Sequence, residues 1–257
     1  MNLSVPTHHG VFVGINRYAS TNLVDLNFCV NDALEMREVL TNDHTGLISP
    51  DASVLLTDSD ATKTRVMASI ADVVKKLHTG DTLTIYWASH GTRPASDRNE
   101  LYLITHDTET DGHEVTNAIK FIQELVPLFQ DTDNFVMVLL DGCSVGDALA
   151  RPIIAQNENI GIMAATKRDE HALEAEPLKH GVFTYHLLLT LRSPDVDADG
   201  DNHISMEEAH AYTYKPVLDY VAKNFPGHPQ HPTVAGNNIH RMALIRQSIR
   251  QDSMRAR

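Results

Sequence analysis

Cysteine is scarce in this chain, with two residues, Cys29 and Cys143, among 257. Two thiols cannot build a disulfide framework, and without a CxxC pair they form no zinc-ribbon pattern. No apolar run is long enough to cross a bilayer. The opening MNLSVPTHHG lacks the charged and apolar regions of a secretory signal. A cytoplasmic protein with reduced thiols is expected, and no membrane partner. Positive charge is also short: Lys+Arg 21 against Asp+Glu 34 leave a net charge of −13. That balance argues against a nucleic-acid partner, because phosphate attraction needs clustered Lys and Arg. The sign reverses only in residues 241–257, where Arg241, Arg246, Arg250, Arg255 and Arg257 read as a basic helix or tail. Fifteen histidines are present, but no HExxH or HxxxH lies on a helical pattern, so zinc chemistry is not expected.

What is present suffices for a large core, since hydrophobic residues make up 42%. Strand-length apolar runs at 10–16 (GVFVGIN), 53–57 (SVLLT), 82–88 (TLTIYWA), 135–140, 160–165 (IGIMAA) and 232–235 alternate with helical patterns. The helices are expected over 31–40, with Asn or Asp at the cap, and over 62–78, 117–129, 182–191 and 206–223. A short extra strand is expected at 101–105 (LYLIT). No repeat or composition break divides the chain, so residues 1–240 are expected to form one domain. The alternation predicts an α/β fold, with a mostly parallel central sheet of about six strands and helices on both faces.

Sites in such sheets collect beyond the carboxyl ends of the strands. Two ends carry chemistry: Trp87-Ala88-Ser89-His90-Gly91 and Leu140-Asp141-Gly142-Cys143-Ser144-Val145-Gly146. The second offers two nucleophiles. Gly142-x-Ser144-x-Gly146 fits the nucleophile elbow of serine hydrolases, which need an acid and then a histidine later in the chain. Cys143 needs only a base such as His90 at a neighbouring strand end. His90 precedes Cys143 by 53 positions, close to the roughly 50 that separate histidine and cysteine in caspases. His180, also followed by glycine, opens a helix and is read as structural. Tyr86 and Trp87 are read as core. Ser144 as nucleophile, and a non-catalytic scaffold, are the rival readings.

The set WASHG, LLDGC, Asn31-Asp32-Ala33 and His180-Gly181-Val182-Phe183-Thr184-Tyr185 resembles the caspase-like cysteine peptidases, in their metacaspase and bacterial caspase-homologue branch. The resemblance implies a caspase-like fold and a dyad of His90 as base and Cys143 as nucleophile. It also implies an oxyanion hole from the N–H groups of Gly91 and Cys143. Asp32 and Asp141 match the positions at which metacaspases hold a basic P1 side chain, so cleavage of protein or peptide substrates after Arg or Lys is expected. Separate activator or adaptor proteins are expected partners, in a signalling or defence cascade. Arg151 and Arg168 are candidate self-cleavage sites.

One further motif stands apart. Asp197-Ala-Asp199-Gly-Asp201-Asn202-His203-Ile204-Ser205-Met-Glu-Glu208 fits the twelve-position EF-hand loop. Asp197, Asp199, Asp201, Ser205 and Glu208 supply side-chain oxygens, and His203 sits where only a backbone carbonyl is needed. Asn202 stands at the usual glycine position because it tolerates positive φ. Ca2+ is the expected ligand and calcium modulation the expected consequence.

Overall fold

The computed structural model describes residues 6–111, 114–146 and 152–247. Six strands build the central sheet: β1 (His8–Gly14), β2 (Ile48–Thr57), β3 (Thr82–Ala88), β4 (Phe135–Asp141), β5 (Ile160–Ala164) and β6 (Thr233–Ala235). Their order is β6-β5-β4-β3-β1-β2, with every pair parallel except β5 and β6. The expected architecture is therefore present. β3 and β4 are buried at every position but the first because both faces are covered.

Side chains alternate across the sheet, so each strand feeds two cores. Leu83, Ile85 and Trp87 of β3, with Val136, Val138 and Leu140 of β4, pack against Val66, Ile70 and Val73 of α2 (Lys63–Val74). Tyr86, Met137, Leu139 and Met163 point the other way. They meet Ala33, Met36 and Leu40 of α1 (Cys29–Leu40) and Phe183, Leu187 and Leu191 of α3 (Val182–Arg192). Tyr86 and Trp87 are both core residues, as expected. The Tyr86 hydroxyl shares a hydrogen bond with Thr184 (2.6 Å), and Trp87 Nε1 donates to Ser89 Oγ (2.6 Å).

Three expectations need correction. Helix α1 begins at Cys29 rather than at residue 31, and neither Asn31 nor Asp32 caps it. Its N-terminal region is instead served by a distant carboxylate, Glu174, which accepts from the N–H groups of Asn27 and Phe28. The segment 117–129 is not one helix. Ile119–Lys120 is a strand paired with Tyr102–Leu103, followed by a π-turn at Phe121–Leu125 and a 3₁₀ turn at Val126–Leu128. Glu100 takes the N–H groups of Ile122 and Gln123, and Pro127 removes a donor from what would be mid-helix. Phe121, Leu125, Val126 and Phe129 still fill the core, which is why the pattern looked helical.

The third correction concerns the domain's end. The expected tail from residue 241 opens with a strand, Ala243–Arg246, antiparallel to His203–Ser205, with Leu244 and Ile245 buried. The basic stretch thus starts inside the fold, and Arg246 donates to the carbonyl of Gly46 (2.6 Å). Arg250, Arg255 and Arg257 lie outside the described residues, as does Arg151. No helix among the described residues is long and apolar enough to cross a membrane.

Candidate active site

Parallel pairing of β3 with β4 puts Ala88 opposite Asp141, and the chain runs on two residues from each to His90 and Cys143. Past the strand ends the two loops stay in contact, with Ser89 N–H donating to the Asp141 carbonyl (3.3 Å). A Cβ at Gly91 would sit 2.6 Å from the Cys143 carbonyl oxygen, so only glycine permits this approach. Gly91 and Cys143, the expected oxyanion donors, are thus neighbours.

His90 is held on three sides. Its Nε2 lies 2.7 Å from the Val24 carbonyl, which can only accept, so Nε2 carries the hydrogen and Nδ1 is left basic. Its ring stacks on Tyr18 with centroids 5.1 Å apart, and its backbone N–H donates to the Tyr18 hydroxyl (3.1 Å). Cys143 is partly buried. That burial pushes its thiol up, against the hydrogen bond from the Ala172 N–H and with the charge of Asp141. The resting group is a thiol, which needs a base to become a nucleophile.

The turn after Cys143 is pinned from both sides. Ser144 adopts φ +60°, its N–H donates to the Glu170 carbonyl (2.9 Å), and its own carbonyl accepts from Arg93. Arg93 also donates to the Arg168 carbonyl (3.0 Å). The Glu170 carboxylate takes His231 N–H (2.8 Å) and Nδ1 (2.6 Å), while Gln230 Oε1 accepts from Leu173 N–H (3.2 Å). The segment 167–174 is thereby clamped between the nucleophile turn and the stretch before β6. Ser144, Glu170 and His231 follow the chain order of a serine hydrolase. Among the described residues, however, the Ser144 hydroxyl makes no hydrogen bond to an imidazole.

A cavity of about 120 Å³ opens beside Cys143 and His90, with Asp32, Asp141, Glu174 and Gly181 in its wall. Both expected aspartates are buried. Asp32 accepts from Gly181 N–H (3.0 Å) and pairs with His180 Nδ1 (2.6 Å). Asp141 accepts from the Thr184 hydroxyl (2.6 Å) and N–H (3.3 Å). Burial raises Asp32 to about 6, against the hydrogen bond of His180. Burial, then the neighbouring charge of Asp32, raises Asp141 to about 7. Burial opposes charge on His180, but its bond to Asp32 and the charges of Asp32 and Glu35 outweigh this and raise it. His180 is thus committed to two carboxylates, Asp32 and Glu35.

The acidic loop lies elsewhere. Carboxylate oxygens of Asp197, Asp199 and Glu208 fall within 4.8 Å of one another. Asn202 adopts φ +67°, as its place in the loop requires. Asp201 sits beside them, its Oδ1 accepting from His203 N–H (2.8 Å). Ser205 caps the following helix α4 (Met206–Asn224) through a reciprocal box with Glu208. His203–Ser205 pairs antiparallel with Ala243–Arg246, so the loop is tied to the last described strand.

Five residues at the site were not anticipated: Tyr18, Val24, Arg93, Glu170 and Glu174. They act across long sequence separations, from loops or, for Glu174, from a two-residue strand, where no periodic signal marks them.

The family model of the caspase domain, Peptidase C14, matches residues 7–242. The chain belongs to this family of cysteine peptidases. It is 31% identical over 99 residues to Metacaspase-4 of Arabidopsis thaliana, a match covering 37% of this chain and 23% of that protein. The match thus spans about a quarter of the relative's length. Among solved structures, protein GSU0716 of Geobacter sulfurreducens shares the fold with TM-score 0.61 and 16% identity, over 90% of this chain and 94% of that one. Caspase-1 of Spodoptera frugiperda superposes with TM-score 0.59 and 10% identity, over 90% and 86% of the two chains.

Proposed function

We propose that the chain is a cysteine endopeptidase that cleaves proteins or peptides after Arg or Lys, using His90 and Cys143. The carrying observation is the pair of buried carboxylates, Asp32 and Asp141, in a cavity whose wall continues into Cys143 and His90. A P1 guanidinium entering there meets Asp141, held by Thr184 alone, beside Asp32, which shares His180 with Glu35, and Arg can bind carboxylates in a planar, bidentate manner. True caspases hold an acidic P1 side chain, which this cavity would repel.

Nδ1 of His90 takes the thiol proton, and the thiolate adds to the scissile carbonyl. The N–H groups of Gly91 and Cys143 stabilise the oxyanion. Collapse expels the amine, which leaves with the proton from His90, and a water then hydrolyses the thioester. Fluorogenic peptides differing only at P1 test this, with Cys143→Ala as control. Preference for Arg and Lys, lost in the control, is expected. Preference for Asp, or activity that survives Cys143→Ala and is lost in Ser144→Ala, would refute it.

Calcium belongs to the same proposal. Asp197, Asp199, Asp201, Ser205, Glu208 and the His203 carbonyl make a hard oxygen set of the kind Ca2+ takes. Bound there, the ion would offset clustered negative charge and tie helix α4 to the final strand.

A further inference from the structure

A second cavity, of about 820 Å³, also has His90 and Cys143 in its wall, and it shares no other residue with the acid cavity. We infer that this larger cavity holds the substrate residues that follow the scissile bond, and that it selects aliphatic side chains there. The inference rests on the peptidase reading and extends it to the leaving-group side.

The direction follows from the chemistry. With the P1 side chain in the acid cavity and its carbonyl at Cys143, the departing amine must lie where His90 can protonate it. The larger cavity is built from what surrounds His90: Gly91 and Thr92 after it, and Val24, whose carbonyl holds its Nε2. Its volume lies within the roughly 300–1,000 Å³ of ordinary ligand sites.

Its floor is apolar, and its wall carries one acid, Glu114, and one base, Arg93, whose guanidinium donates to the Ser144 and Arg168 carbonyls. Ile104 is buried with Tyr102 and Ala118 in a small satellite core, and Leu23 and Val115 pack on it from the cavity side. Val24 is 77% exposed at the mouth, an aliphatic side chain without cover beside the reacting imidazole. Glu114 is exposed on the opposite wall, where its charge opposes an acidic residue of the substrate. Contacts with a departing segment raise turnover only when they persist into the transition state, so the effect should be read in kcat/KM.

Quenched peptides with one acyl half ending in Arg, varied only in the two residues after it, test this against an aminocoumarin amide with none. Leu-Val is expected to exceed Ser-Gly by about tenfold, the size of a methylene or two in an apolar pocket, and Asp-Asp to be slowest. Val24→Asp, at an exposed position, should bring the Leu-to-Lys ratio at the first of these positions down to near unity or below. Cleavage of the amide with all three peptides within twofold, or an unchanged ratio in Val24→Asp, overturns the inference alone. Failure to cleave the amide and every peptide removes the peptidase reading itself.

Discussion

Two groups of carboxylates in this molecule use the same residue type in opposite ways. Asp32 and Asp141 are 1% and 6% exposed at the end of the central sheet, where burial lifts both well above the ordinary aspartate range. Asp197, Asp199 and Glu208 crowd together at the surface. The first group has a few fixed hydrogen-bond donors and a narrow cavity, suited to one flat organic cation. The second is also held by backbone donors, Asp197 by the N–H groups of Gly200 and Asn202 and Glu208 by that of Ala198, but it faces solvent, a setting that suits a small hard ion. Environment rather than residue type is what separates the pocket proposed for P1 from the loop proposed for calcium.

The contrast breaks most readily at Asp141. Asp141→Asn keeps the shape and removes the charge, so kcat/KM on Arg substrates should fall about a hundredfold or more. Unpairing a buried charge costs about 3–5 kcal/mol. Activity on a neutral P1 substrate should fall far less. Equal losses on both would mean that Asp141 holds the strand end and nothing else.

A smaller effect follows from protonation. Both aspartates bind protons more tightly folded than unfolded, since burial raises them from 3.8 to about 6 and about 7. Their stabilising contribution is full below the unfolded value and disappears as pH climbs through the folded values. His180, raised above 6.5, acts in the same direction. Between about pH 5 and pH 8 the melting temperature should therefore decline, and decline less in Asp141→Asn. A bound Arg-aldehyde peptide needs the ionised pocket, so the stabilisation it confers should grow over the same interval. Thermal scans with and without the aldehyde read both slopes, and a flat profile in the parent protein would contradict the account.

The smallest effect belongs to the surface group. Calcium titrated calorimetrically should give heat in the parent protein and none in Asp197→Ala/Asp199→Ala, with a rise of a few degrees in melting temperature at saturation. Identical heats would remove the metal from the picture. The variant should keep its Arg preference, because the two acid groups lie in different parts of the fold.

How much of this was legible beforehand depends on the range of the interactions. Strands β3 and β4 could be read from their apolar runs, and their ends brought His90 and Cys143 into view. Asp32 and Asp141 came from resemblance, since a lone aspartate looks like a cap. Asn202 could be read as a left-handed residue because the loop motif is local. Glu174 could not be seen, for it reaches back 147 positions to Asn27. Nor could the Glu170–His231 pair, 61 positions apart in two irregular segments. The segment 117–129 misled because its burial has helical spacing while its N–H groups are taken by Glu100.

Gly181 shows how finely the acid cavity is drawn. A Cβ there would lie 2.6 Å from Asp141 Oδ2 and 3.1 Å from Asp32 Oδ2. Alanine at this position would keep the number of charges but press on the Asp141 carboxylate that Thr184 holds, while narrowing the room available to an incoming guanidinium. Shape and charge are therefore tied together in this pocket, because the one position without a side chain is also the one that lies against both carboxylates.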